Sequence, residues 1–163
     1  MSAREQLHND QEVIRKIVSL AEQCDVLSEF SNVELMSVAR YLKVQKFIIS
    51  DAIVREGEIA DWIGFIVEGA IEVVKESTKA NKNVTIASEY KSRLVGELAI
   101  LDGGMRSATC YARKPTVVLV MSVDSFNLLA ERYTTFALRL TRAIAKHVSQ
   151  RLRLASGQIV DLV

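Results

Sequence analysis

The chain has 163 residues, of which 49% are hydrophobic and 25% charged, with a single proline and a formal net charge of +1. These values predict one globular domain with its own core, and they exclude a disordered or fibrous chain. A net charge so close to zero gives no general attraction to nucleic acid or to an anionic membrane, so recognition of an anion has to be local.

The N-terminal segment predicts a helix over residues 3 to 22. Its apolar residues recur at steps of three and four, as in an amphipathic helix: Leu7, Ile14, Ile17, Val18 and Ala21. The start, "MSAREQLHNDQE", has charges and amides where a secretory signal needs an apolar core, so we expect a cytoplasmic protein. The longest apolar run, near residues 117–121, is far shorter than the roughly 18 residues of a membrane span, and we expect none.

A second helix is predicted over residues 31 to 43. Ser31 and Glu34 have the spacing of a capping box. Phe30 and Leu35 stand where a hydrophobic staple would fix the angle at which the chain joins the helix. The start of this helix is therefore well defined by the sequence.

From residue 44 onward the hydrophobic pattern changes from a helical period to alternation, which predicts strands. Turn signals separate these short strands: Gly57, Gly69, the polar stretch "STKANKN" and the Gly103-Gly104 pair. Short strands with such turns indicate an antiparallel β-barrel or jelly roll of about eight strands, rather than a parallel sheet with crossover helices.

After Asp124 the helical period returns and predicts a shorter helix, a bend near "ERYTTF" and a long last helix to about residue 155. Gly157 either ends this helix or lies within it as a hinge. The predicted fold class is α+β, a jelly roll flanked by helices. We assign residues 1–25 to an N-terminal helix, 26–155 to the main domain and 156–163 to a tail or the end of the last helix.

One stretch, "VGELAILDGGMRSATCYA", places a lone carboxylate and a lone arginine among small and apolar residues. Its "ELAIL" piece predicts a short helix, whose first amides have no partner within the helix and favour an anion. Arg106 could grip two phosphate oxygens, with Ser107 beside it, while Glu97 accepts a sugar hydroxyl. Each feature alone also fits a favourable helix start, an ordinary turn or a solvated arginine, but together they indicate a phosphorylated sugar.

Residues 96–109, "GELAILDGGMRSAT", resemble the phosphate-binding cassette of the cyclic nucleotide-binding domain. This family includes catabolite activator-type regulators, regulatory subunits of cyclic AMP-dependent kinase and cyclic nucleotide-gated channels. Its pattern is Gly-Glu-x-Ala, a short gap, then Arg-(Ser/Thr/Ala)-Ala, which the chain matches with Gly96, Glu97, Ala99, Arg106, Ser107 and Ala108. The stretch "IVREGEIADWIGFIVEGAIEVVKE" also resembles the family, with Gly57, Asp61 and Gly69 at marker positions, and the whole resemblance covers residues 26–155.

The resemblance implies that Glu97 accepts the ribose 2′-hydroxyl, that Arg106 pairs with the cyclic phosphate, and that the amides of Ala99 and Ser107 add hydrogen bonds to it. The implied ligand-binding residues are Gly96, Glu97, Leu98, Ala99, Arg106, Ser107 and Ala108, with Leu94, Val95, Thr109 and Arg151 as further candidates. Two departures from the family pattern affect loop stiffness rather than ligand contacts: Ser50-Asp51 replaces a glycine, and Met105 replaces a proline.

The last helix has an apolar and a basic face. The apolar face consists of Leu140, Ile144, Val148, Leu152, Ala155 and Ile159, and the basic face of Arg139, Arg142, Lys146 and Arg153. Arg151 falls within the apolar stripe, where its head either reaches water or contacts the purine as the helix closes like a lid. We expect a solvated basic face and no direct DNA binding, because activator-type members place a helix-turn-helix module after this helix and the sequence ends at Val163.

The sequence thus predicts a non-enzymatic sensor that binds a cyclic nucleotide, cAMP in preference to cGMP, and transmits occupancy through its C-terminal helix. Ser107 suits a phosphate contact and equally the 2-amino group of guanine, so the residues alone leave the base open. The alternative is a nucleotide-independent module that binds a partner or forms a homodimer. No cofactor or metal is expected, because His8 and His147 fall on helices, and Cys24 and Cys110 predict buried, reduced thiols.

Overall fold

The computed structural model describes residues 3–77, 82–90 and 94–160, so the tip of the predicted "STKANKN" hairpin, residues 78–81, lies outside them. The N-terminal elements are α1 (Ala3–Ala21), α2 (Asn32–Val38) and a 3₁₀ turn (Ala39–Tyr41). The strands that follow are β1 (Lys43–Phe47), β2 (Ala52–Val54), β3 (Trp62–Glu68), β4 (Ile71–Ser77), β5 (Lys82–Tyr90) and β6 (Leu94–Val95). The remaining elements are α3 (Leu98–Leu101), β7 (Thr109–Ala112), β8 (Thr116–Ser122), α4 (Val123–Arg132) and α5 (Thr134–Val160).

The capping box predicted at the start of α2 is present. The Ser31 hydroxyl accepts a hydrogen bond from the Glu34 amide at 3.4 Å, and the Glu34 carboxylate accepts one from the Ser31 amide at 2.9 Å. The hydrogen bonds that the Ser31 amide and the Ser31 hydroxyl donate to the Glu34 carboxylate lower the pKa of Glu34 below its usual range. Phe30 and Leu35, the two residues of the predicted staple, are both buried.

The predicted extent of this second helix, residues 31 to 43, is too long. α2 ends at Val38 and tightens into the 3₁₀ turn, and Leu42 is already extended with φ −108° and ψ 145°. The helical pattern has to stop there because β1 pairs with β8 from Lys43, which lies opposite Val120.

The strands form two four-stranded antiparallel sheets in the orders β1-β8-β3-β6 and β2-β7-β4-β5. This arrangement confirms the predicted α+β fold with a jelly roll of about eight strands. Within the described residues the two sheets are separate rather than closed into one barrel.

The sheet that contains β3 and β8 divides the core in two. In β3, Ile63 and Phe65 pack in one cluster with the helices, whereas Ile66 packs in a second cluster with the other sheet. β8 alternates in the same way, with Leu119 on the helix side and Val118 on the sheet side. Because neighbouring side chains of a strand point to opposite faces, burial of both faces produces a continuous apolar run instead of alternation.

Ser50 is the first residue of the Ser50-Asp51 pair, which is one of the two departures from the pattern that the sequence resembles. Among the described residues it is the non-glycine residue with a left-handed backbone, at φ 72°. Its amide donates to the carbonyl of Ala112 at 2.8 Å, and the neighbouring Asp51 carboxylate accepts from the Ile48 amide at 2.9 Å. The departure at Ser50 therefore adds backbone strain to a well-bonded turn.

The C-terminal helices confirm the predicted bend and extend past the predicted end. α4 ends at Arg132, the next residue Tyr133 has a non-helical φ of −129° and ψ of 55°, and α5 continues to Val160. Gly157 lies within α5, so it does not end the helix. Among the described residues, no helix combines the length and the apolar character that crossing a membrane requires.

The packing of α5 corrects the predicted apolar face. Leu140 and Ile144 are fully buried, whereas Leu152 is 67% exposed. Each four-residue step rotates around the helix by about 40° beyond a full turn, so Leu152 lies about 120° from Leu140 while Arg151 lies only about 20° from it. The side chains of Ala155 and Ile159 lie outside the part that the structure describes.

Candidate functional site

A cavity with about 480 Å³ of empty volume, including its open mouth, lies beside the segment singled out in the sequence. Of the predicted residues, those in its lining are Leu94, Val95, Gly96, Glu97, Leu98, Ala99, Arg106, Ser107, Ala108 and Arg151. Thr109 is not part of the lining, and its hydroxyl instead accepts from the Glu56 amide at 3.0 Å. The structure thus brings the cassette and Arg151, which are distant in sequence, to one cavity.

The backbone of Arg106 is fixed by the turn between β2 and β3. The Gly57 amide donates to the Arg106 carbonyl at 2.9 Å, and the Arg106 amide donates to the Glu58 carbonyl at 2.8 Å. The following residue, Ser107, accepts a hydrogen bond at its carbonyl from the Lys75 ammonium on β4 at 2.7 Å. The backbone of the cassette arginine is therefore held by the β2–β3 turn and, at the next residue, by Lys75 of β4.

The guanidinium of Arg106 is buried, with 3% of its side chain exposed. Nη1 donates to the carbonyls of Trp62 at 2.8 Å and Gly96 at 3.3 Å, but Nη2 is a buried atom with no hydrogen-bond partner among the described residues. The nearest carboxylate oxygen paired with it, on the exposed Asp61, is 3.8 Å away. Burial lowers the pKa of Arg106, and the Asp61 carboxylate acts in the opposite direction and raises it. An unsatisfied buried donor on a cation is costly unless an anion meets it.

Gly96 is required where the chain passes this guanidinium. Its φ is +69°, and a Cβ built on it would lie 1.9 Å from Nη1 of Arg106. Glycine tolerates this left-handed backbone and leaves the space that the arginine occupies.

Glu97 is the buried carboxylate of the cavity lining. It is 5% exposed, and its carboxylate forms an ion pair with Arg151, a residue of α5 that lies 54 positions later. The head of Arg151 therefore lies in the cavity, which rules out the interpretation in which it reaches only into water. The predicted contact with a purine stays a prediction.

The backbone amides expected to meet a phosphate are partly engaged. α3 forms the predicted short helix, and the Ala99 amide donates to the Gly96 carbonyl at 3.2 Å. The Asp102 carboxylate holds the following turn by accepting from the Gly104 amide at 2.9 Å. A bond from Ala99 to a ligand would have to be shared with Gly96.

The sequence interpretation missed an apolar wall of the cavity. Its residues are Val54, Ala60, Ile71, Val73, Met105 and Cys110. Most of them alternate along β2, β4 and β7 and pack in the cluster between the sheets, so their sequence pattern is that of core residues. Burial raises the pKa of the Cys110 thiol to about 11, with Glu97 acting in the same direction, so this wall stays uncharged at neutral pH.

The cyclic nucleotide-binding domain family matches residues 44–133, which is more than half of the chain. Glutaminase 2 of Bradyrhizobium diazoefficiens is 27% identical over 150 residues, covering 92% of this chain. The chain spans only 23% of that relative's length.

Two solved structures have the same fold. A cyclic nucleotide-binding domain from Methylobacillus flagellatus has a TM-score of 0.78 and 22% identity, covering 93% of this chain and 85% of the other. The regulatory domain of Toxoplasma gondii PKA with cAMP has a TM-score of 0.70 and 21% identity, covering 86% and 51%. With the family match and the cassette assembled at one cavity, these findings show that the chain belongs to the cyclic nucleotide-binding domain family.

Proposed function

We propose that this chain is a sensor for a cyclic nucleotide, with cAMP as the preferred ligand, and that it regulates rather than catalyses. The observation that supports this most strongly is at Arg106, a residue of the cavity lining whose buried Nη2 has no hydrogen-bond partner among the described residues. A phosphate oxygen satisfies such a donor with a charge-assisted hydrogen bond.

The charges of the cavity suit one phosphodiester. Its charged lining residues are Arg106, Arg151 and Glu97, two cations and one anion, which sum to +1. A cyclic phosphate has one negative charge and would neutralise this net charge of +1. The 2′-hydroxyl of the ribose can donate a hydrogen bond to Glu97.

The apolar wall favours adenine over guanine. Val54, Ile71 and Val73 offer no side-chain acceptor for the additional N–H donors of guanine, and an unsatisfied polar group costs binding free energy. Ser107 is the polar group nearest in sequence to the cassette arginine and could compensate part of this cost. The PKA regulatory domain that shares this fold is seen with cAMP.

Transmission through α5 rests on the pair between Glu97 and Arg151. A ligand that shares Glu97 contacts the same carboxylate that docks α5 on the jelly roll. Ligand binding shifts a helix only to the extent that the ligand prefers one helix position. We infer that a cyclic nucleotide stabilises the docked helix, because its phosphate adds a negative charge to a cavity that already contains both arginines.

Isothermal titration calorimetry with cAMP and cGMP tests the proposed function. For Arg106→Ala we expect an affinity loss of roughly 10- to 150-fold, since a hydrogen bond to a charged group is worth about 1.5–3 kcal/mol. Arg113→Ala is the matched control, because Arg113 is exposed, pairs with Glu72 and lies outside the cavity lining. It should bind like the wild type.

Wild-type affinity in Arg106→Ala would overturn the site assignment.

Thermal melting tests the alternative of a nucleotide-independent module. A specific ligand at 100 times its Kd adds about 2.7 kcal/mol to stability, so the absence of a shift with either nucleotide would favour that alternative.

A further inference from the structure

Trp62 holds the cassette arginine with two different groups. It is the chain's single tryptophan and the first residue of β3. The guanidinium carbon of Arg106 lies 4.5 Å from the centroid of its indole ring, and the Trp62 carbonyl accepts from Nη1 of the same guanidinium at 2.8 Å. One residue thus contacts both a face and an edge of the arginine head.

These contacts restrict the orientation of the guanidinium. The group is planar, with donors around its edge and two faces that attract aromatic rings. The guanidinium carbon lies over the indole ring, and the carbonyls of Trp62 and Gly96 accept hydrogen bonds from Nη1. Nη2 has no hydrogen-bond partner among the described residues, and the Asp61 carboxylate is 3.8 Å from it, so this donor can still bind an anionic group.

We propose that Trp62 is a positioning residue, whose indole face keeps the guanidinium of Arg106 aimed at the anionic group of the ligand. This inference rests on the proposed function, in which that group is the cyclic phosphate. Without the indole, Nη1 keeps its hydrogen bonds to the two carbonyls, but the rest of the guanidinium can tilt around Nη1. The fraction of molecules with Nη2 aimed at the phosphate then falls.

The test replaces only the ring, since every variant keeps the carbonyl of residue 62. Trp62→Leu keeps apolar contact with the cluster between the sheets but has no aromatic face, whereas Trp62→Phe keeps one. We expect Trp62→Leu to weaken cAMP binding about 3- to 30-fold in calorimetry, and Trp62→Phe to stay within about threefold of the wild type. Thermal melting of the same proteins separates packing from positioning.

A purely structural tryptophan would lower the melting temperature of the leucine variant and leave its Kd unchanged, and that result would overturn the proposal. Failure of the wild type to bind either nucleotide is a different result, because it overturns the proposed function and the anion site together. If Trp62→Leu does not fold, the fluorescence emission of Trp62 in the wild type tests the proposal instead. Saturating cAMP should change this emission, because the only tryptophan contacts the binding arginine, and an unchanged spectrum would overturn the proposal.

Discussion

The cavity lining contains two buried charged residues, Arg106 and Glu97, which we call its arginine end and its glutamate end, and they are held in different ways. Arg106 is fixed within the jelly roll by two carbonyls and an indole face, and one of its donors has no hydrogen-bond partner among the described residues. Glu97 is instead paired with Arg151 on the C-terminal helix. Under the proposed function the arginine end supplies a preformed phosphate site, and the glutamate end connects the ligand to an element that can move.

The largest effect on stability and affinity is expected from a substitution at the arginine end. Gly96→Ala combines a left-handed backbone with a Cβ 1.9 Å from Nη1 of Arg106. We expect a loss of about 2–4 kcal/mol in the free energy of unfolding, from backbone strain and overpacking. The displaced guanidinium should lower cAMP affinity by about tenfold or more, measured by calorimetry on the folded fraction.

Gly103→Ala is the matched control for this substitution. Gly103 has a similar φ of +64°, but a Cβ there meets nothing within 4 Å. It should lose only the backbone strain, about 1–2 kcal/mol, and keep its affinity. Equal affinity losses in the two variants would mean that the contact between Gly96 and Arg106 does not matter for binding.

A smaller effect is expected at the glutamate end. Arg151→Ala leaves the buried Glu97 without its ion pair, so an incoming phosphate meets an uncompensated carboxylate. We expect cAMP to bind on the order of fivefold more weakly. Arg153→Ala makes the same charge change at an exposed position of α5 and should not alter the Kd. Tighter binding by Arg151→Ala would show that Arg151 competes with the ligand.

The smallest effect concerns the scaffold away from both ends. Ser50→Gly relieves the left-handed strain at φ 72°, against the greater entropy of glycine in the unfolded chain. We expect a gain of about 0.5–1 kcal/mol, or a rise of roughly 1–4 °C in the melting temperature, without a change in Kd. A lower melting temperature would contradict this explanation of the Ser50 position.

The cassette could be predicted from the sequence because its residues are neighbours in the chain. Gly96, Glu97 and Arg106 belong to one short pattern, and their spacing by itself indicates a phosphate and a sugar. The jelly roll followed from alternation and turn signals. The end of α2 could not be predicted, because the pairing of Lys43 with Val120, which is remote in sequence, stops the helix.

The apolar wall and the partner of Glu97 were beyond sequence reasoning for a related reason. Ile71 and Val73 have the pattern of core residues, and only the gap between the sheets makes them line a cavity. Arg151 was recognisable as a cation on an apolar stripe, but its contact with Glu97 depends on how α5 crosses the jelly roll. Contacts between distant elements are not encoded in local periodicity.

Hydrogen–deuterium exchange on α5 tests most directly whether the two ends have separate roles. The wild type and Arg151→Ala are compared with and without cAMP, at concentrations that saturate each protein equally. In the wild type, cAMP should slow exchange across residues 145–153, whereas Arg151→Ala should bind the ligand without this slowing. Equal slowing in both proteins, or none in the wild type, would contradict transmission through the pair between Glu97 and Arg151.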